Sequence, residues 1–280
     1  MKKFSYAGVV LVAAGLGSPA LAADLPLKAL LPPAAAAYSW TGCYLGASAG
    51  ANWGRTDGFI TTPATVLPEN GNPIRINPGV NDTGPFDLPG AIIVGGFGGC
   101  NYQFAGRFVV GGEVDWSYTN KQGFALLVPN GVALMGGFGN PHDFWSLREK
   151  QLATARLRFG YAVNDSWLLY VTGGGAWANV EAYETITTNP TPPESALQTH
   201  WRNGWTVGAG TEYAVGRGWS VRGEFLYVDL GKWTTFTNIP ATGISGADTF
   251  TNMNVNLREY IGRVGLSYKF GWPSAVVAKH

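Results

Sequence analysis

Eight segments of this chain alternate with a period of two residues, and the connections between them are by turns short and long. A period of two belongs to the β-strand, whose successive side chains point to opposite faces. The segments are 39–53, 91–104, 107–118, 151–161, 166–178, 201–214, 218–229 and 257–270. In each, one face is aliphatic and aromatic, as at Leu45, Ala47, Ala49 and Trp53, or at Phe108, Val110, Val114 and Trp116. The opposite face carries glycines, hydroxyls and a few charges, as at Glu113, Asp115 and Ser117.

Alternation alone fits a soluble sandwich as well as a membrane barrel, so the charges decide. Only 13% of residues are charged, against roughly 25% in an ordinary soluble domain. A sandwich would carry Lys and Glu freely on its polar face; here that face is small and sparsely charged, which suits a crowded lumen. The strand number is even, as single-chain bacterial barrels require. Every segment is long enough to cross a bilayer at a tilt, which takes roughly 9–11 residues. Short links at 105–107, 162–165 and 215–218 alternate with long ones at 54–90, 119–146, 179–200 and 230–256, the asymmetry of periplasmic turns and surface loops. The long links are rich in Pro, Gly, Asn, Asp and Thr and read as irregular. Aromatics gather at strand ends, and Trp53, Trp116, Trp167, Trp177, Trp201, Trp219 and Trp233 form a candidate girdle at the two headgroup layers. The expected fold is all-β: an eight-stranded antiparallel transmembrane β-barrel with short periplasmic turns and long extracellular loops.

Residues 1–22 read as an export signal: Lys2 and Lys3 precede an apolar run, and Ala20-Leu21-Ala22 supplies a cleavage site after Ala22. That run is too short for a membrane span, which needs roughly 20 apolar residues. Residues 23–38 read as an Ala/Pro-rich periplasmic linker, 39–270 as the outer-membrane barrel and 271–280 as a tail. The formal net charge of +1 gives no reason to expect a nucleic-acid partner.

The polar face supplies the most informative set. Glu113, Asp115, Glu212 and Glu224 balance Arg156, Arg158, Arg222 and Arg263, four acids against four bases. Such a set is expected to satisfy itself as an ion-pair network, and an eight-stranded ring is just wide enough for side chains to fill. A plugged or very narrow lumen follows; the alternative is a charged pore. Gly46-Ala47-Ser48-Ala49-Gly50 matches a nucleophile elbow in letters, but it lies inside a continuing strand and lacks the strand-to-helix turn that motif needs. His142 and His200 fall in different expected loops and His280 ends the chain, so no spacing pairs them. No catalytic residue, metal site or cofactor is expected.

Several runs resemble the small outer-membrane immunogenic barrels of alpha-proteobacteria, the porin-family proteins. They are Tyr38-Ser39-Trp40-Thr41-Gly42, Trp167 to Gly174, Gly204 to Tyr213, Tyr227-Val228-Asp229-Leu230-Gly231 and Arg263 to Phe270. The resemblance implies an eight-stranded barrel in the cell outer membrane with exposed loops, and no activity common to all members. Its alternating last strand, with Tyr260, Val264, Leu266, Tyr268 and Phe270 outward, resembles the signal read by the barrel assembly machinery. Outer-membrane lipid and lipopolysaccharide are expected neighbours, with host or surface ligands at the loops. This chain departs from the pattern in two respects. Residues 271–280 follow the terminal aromatic, so the assembly signal is expected to be read internally. Cys43 and Cys100 stand where aromatics are usual; adjacent antiparallel strands can place them opposite each other in an oxidising compartment, as a disulfide or as two lipid-facing thiols, with compartment and parity favouring the bridge. The leading functional expectation is a structural and surface-interaction barrel supporting the envelope. A small porin is the alternative, and a lipid-modifying barrel enzyme or a haem-binding surface protein stands further off.

Overall fold

The alternating segments become one continuous hydrogen-bonded ladder in a computed structural model. It describes residues 38–56, 59–62, 65–66, 74–75, 86–126, 144–186, 194–239 and 249–270. The expected signal, linker residues 23–37, the tail, His142 and His280 lie outside the described residues. Those described form β1 (Gly42–Thr56), β2 (Phe59–Thr62), β3 (Thr65–Val66), β4 (Ile74–Arg75), β5 (Phe86–Phe104), β6 (Phe108–Leu126), β7 (Phe144–Asn164), β8 (Trp167–Ile186), β9 (Glu194–Gly216), β10 (Trp219–Ile239) and β11 (Thr249–Phe270). Among them, β1 and β5 to β11 pair antiparallel in chain order, and β11 closes on β1 from Cys43↔Phe270 to Thr56↔Leu257. Over the membrane-crossing stretch closure leaves no edge, the condition for strands in lipid; above it β5 parts from β6 beyond Ile93↔Thr119 and β10 from β9 beyond Asp229↔Trp205. Short β2 joins the upper end of β11, and β3 pairs with β4.

The outward faces are those read from the sequence. Girdle residues Trp53, Trp116, Trp167, Trp177, Trp201 and Trp219 are each 41–49% exposed on the outside. At the inner level Phe108 packs on Phe104 and Tyr161, and Trp219 on Tyr268. At the outer level Trp53 stacks on Tyr260, which also meets Tyr227. From Phe108 to Tyr118, from Trp167 to Trp177 and from Tyr260 to Phe270 is eleven residues each, one tilted crossing. The Tyr260, Val264, Leu266, Tyr268 and Phe270 side chains all face out along the closing seam.

The long connections are corrected by the structure. Parts of 54–90, 119–146, 179–200 and 230–256 continue the ladder, and His200 lies on β9 opposite Val180. Above the lipid an outward face has no need to be apolar, so the hydrophobic alternation fades while the backbone pairing goes on. Nine residues of β8 lie beyond Trp177 and twelve of β10 beyond Tyr227. At about 3.3 Å per residue and a tilt of roughly 40°, nine residues lift the ribbon about 20 Å above the belt.

Three irregularities sit near the outer belt. The ladder slips at Pro89-Gly90 of β5, at Lys150 of β7 and at 230–231 of β10. Gly231 takes a φ of 70° while its N–H donates to Asp229 Oδ1 at 2.8 Å; left-handed backbone here favours glycine. Each bulge reverses which parity points inward. Trp233 is the casualty among the expected girdle residues: beyond the β10 bulge it turns in, packs on the upper core and lies under the Arg202 guanidinium, 4.9 Å from the ring centre. Lower down, Gly174 lets β8 approach β7, since a Cβ there would fall 2.0 Å from the Ala155 carbonyl oxygen.

Candidate functional site

The inward face holds three stacked layers. The middle one is the charge set expected from the sequence, and all eight residues are buried in one connected network. Inward parity on β6, β7, β9, β10 and β11 aims them at one level. Arg156 donates to Glu113 at 2.6 Å, Asp115 at 2.9 Å and Glu224 at 2.9 Å. Arg263 spans Asp115 and Glu224 at 3.0 and 2.7 Å. Arg158 joins Glu212 at 2.9 Å to Glu113 at 3.3 Å, and Arg222 also donates to Glu113. Hydroxyls complete the set: Thr154 donates to Asp115, Ser220 to Glu212 at 2.6 Å and Tyr44 to Glu113 at 2.8 Å. Buried charges need such pairing, because an isolated charge in the interior keeps its full desolvation penalty uncompensated.

Aromatic rings wall the network, and two of them, Tyr44 and Tyr170, alternate in the sequence onto the face opposite the aliphatic stripe. Arg222 lies 3.3 Å from the Phe97 ring centre and Arg158 3.9 Å from that of Tyr170. Tyr44, Phe97 and Tyr170 share the inward parity of the charges, and continuing the alternation of 91–104 down from Asn101 places Phe97 there as well.

Below, residues ahead of β1 cork the periplasmic mouth. Trp40 is 2% exposed and packs with Val109, Ala162, Leu168, Tyr170 and Ala214. Its backbone N–H donates to Gln103 Oε1 at 2.8 Å, and Lys269 donates to the Ser39 carbonyl while lying 3.9 Å from the Tyr38 ring centre. Burial, with Glu212 nearby, pushes the Tyr38 hydroxyl up to about 12. Tyr38, the last residue of the expected linker, is therefore docked.

Above, the lumen is apolar, where the sequence reading expected a polar interior throughout. Trp145, Leu147, Leu152, Leu226, Leu257 and Ile261 are among its fully buried members. One polar cluster is set at its level: Lys121 bridges Glu149 at 2.7 Å and Glu259, all three side chains inaccessible. Asn52 reaches Glu259 at 3.4 Å and accepts from Thr119 at 2.9 Å. Lys121 and Glu259 continue the parity of Asp115 and Arg263 and were legible; Glu149 is turned inward by the β7 bulge.

On the outside, Cys43 and Cys100 are directly paired across β1 and β5 and form a disulfide. It sits at the level of the inner aromatic belt.

A closed antiparallel ring with an apolar, aromatic-rimmed exterior and a charge-paired interior is a transmembrane β-barrel. A family model described as the outer membrane protein beta-barrel domain matches residues 9–270, and the chain belongs to that family. The 31 kDa outer-membrane immunogenic proteins of Brucella melitensis and Brucella suis are each 30% identical over 267 residues, covering 92% of this chain and 97% of theirs. Among solved structures, the outer membrane protease OmpT from Escherichia coli matches with a TM-score of 0.51 at 11% identity, over 83% of this chain and 98% of that one. That likeness concerns the fold alone. The protein resides in the outer membrane.

Proposed function

We propose that this barrel is a non-enzymatic structural element of the outer membrane that carries surface segments on a closed, non-conducting core. One observation carries the reading: apolar cork, paired charges and apolar upper core succeed one another along the lumen axis. An eight-stranded ring offers little room beyond its own side chains. The tall strands above the outer belt fit the display of the intervening segments to host or surface ligands, and the outward last strand fits recognition by the barrel assembly machinery. The immunogenic naming of the Brucella relatives supports surface exposure.

Planar-bilayer recording on the refolded protein tests the closed lumen. The expected result is no stable open level. Long-lived conductance steps that shift when Arg156 and Arg263 are replaced would make the chain a small pore instead.

A further inference from the structure

Just above the outer aromatic belt, one row of charges runs across four neighbouring strands. Asp87 of β5 is the partner of Arg55 on β1, Arg55 of Arg258 on β11, and Arg258 of Asp229 on β10. The order is therefore acid, base, base, acid, centred on the seam where the barrel closes. Asp87, Arg55 and Arg258 are exposed on the outside, and Arg258 Nε lies 3.5 Å from Asp229 Oδ2. Like charges directly opposite each other weaken a sheet, yet this row puts its two cations side by side and its acids at the flanks.

The setting gives the juxtaposition a use. Arg55 and Arg258 stand two residues beyond Trp53 and Tyr260, whose rings stack with centres 6.4 Å apart. Two residues of strand advance about 7 Å, or about 5 Å along the membrane normal at a tilt of roughly 40°, which places the pair within the headgroup layer just outside the hydrocarbon. The β5 bulge at Pro89-Gly90 opens the surface here into a cleft of about 470 Å³, lined also by Trp53, Arg55, Arg258 and Tyr260. Two guanidinium forks present the planar donors that match phosphate oxygens. The rings beneath offer an apolar track downward.

We propose that this cleft is a headgroup site for a phosphorylated glycolipid of the outer leaflet, with its phosphate between Arg55 and Arg258 and its acyl chains descending over Trp53 and Tyr260. Asp87, the register partner of Arg55, and Asp229, 3.5 Å from Arg258 Nε, flank the two cations on their outer sides, so the positive charge is concentrated between them. The inference rests on the outer-membrane placement and is independent of whether the lumen conducts.

The folded full-length barrel in neutral detergent micelles is titrated with bisphosphoryl lipid A and with the same lipid stripped of both phosphates, and bound lipid is read by native mass spectrometry. Each charge-assisted contact is worth roughly tenfold, so the stripped lipid should bind at least about tenfold more weakly. Arg55→Gln/Arg258→Gln should lose binding to the same extent while retaining its heat shift on gels. Equal binding of the two lipids by the unaltered protein would overturn the proposal even if the double variant failed to fold. So would undiminished binding by the folded double variant.

Discussion

Arg156 is the test of how the lumen is held. Its guanidinium touches Glu113, Asp115 and Glu224, at 2.6, 2.9 and 2.9 Å. Arg156→Ala removes one charge from a set of four acids and four bases and leaves it one negative charge in excess. Each acid keeps other donors: Glu113 has Arg158, Arg222 and Tyr44, while Asp115 and Glu224 share Arg263. The cost is therefore that of a stranded buried charge, set at the lower end of the usual range, about 3 kcal/mol. Adding Glu224→Gln restores the balance, and the double variant should cost less than the sum of its parts by more than about 1 kcal/mol. Urea unfolding in micelles, followed by the gel heat shift, measures both quantities. Lys150→Ala is the control: this lysine pairs with Glu181 while 45% exposed, and such surface pairs contribute about 0–1 kcal/mol. A loss below about 1 kcal/mol for Arg156→Ala, or strict additivity in the double variant, would refute a charge-balanced network.

Two further outcomes follow from the other layers. Trp40→Ala empties the cork and should cost about 3–5 kcal/mol in the same unfolding assay, with Gln103 losing none of its partners at Gly106. Lys121→Met leaves Glu149 and Glu259 facing each other in the apolar upper lumen and should cost about 3–5 kcal/mol; adding Glu149→Gln should recover part of it.

Strand count, faces and the eight lumen charges were legible because one physical rule, alternation, governs all of them over the membrane-crossing stretch. The rule failed where its cause ceased. Above the lipid the outward face no longer has to be apolar and mixes polar with apolar residues, so β8 and β10 run on unseen to Ile186 and Ile239. At each bulge one added residue inverts the parity, which hid Glu149 and misplaced Trp233 outside the barrel. Where both faces are apolar, as at Phe225-Leu226-Tyr227-Val228, alternation could not announce that Leu226 and Val228 fill an apolar lumen. The cork is formed by Tyr38 and Trp40, which the sequence placed at the linker end and in the first strand; the strand begins only at Gly42, and the burial of Trp40 comes from tertiary contact.

The Cys43–Cys100 bridge links residues 57 apart in sequence, on either side of the first surface segment. That stretch is thus part of a covalent ring whose base lies at the inner membrane face. A protease working from outside can cut the chain once in that surface segment and release nothing: β1 stays bonded to β5, and the β1–β11 seam stays shut. On a denaturing gel the nicked protein would travel as one species until a reductant separates it. The first surface segment can therefore be cleaved without loosening the strand that closes the barrel.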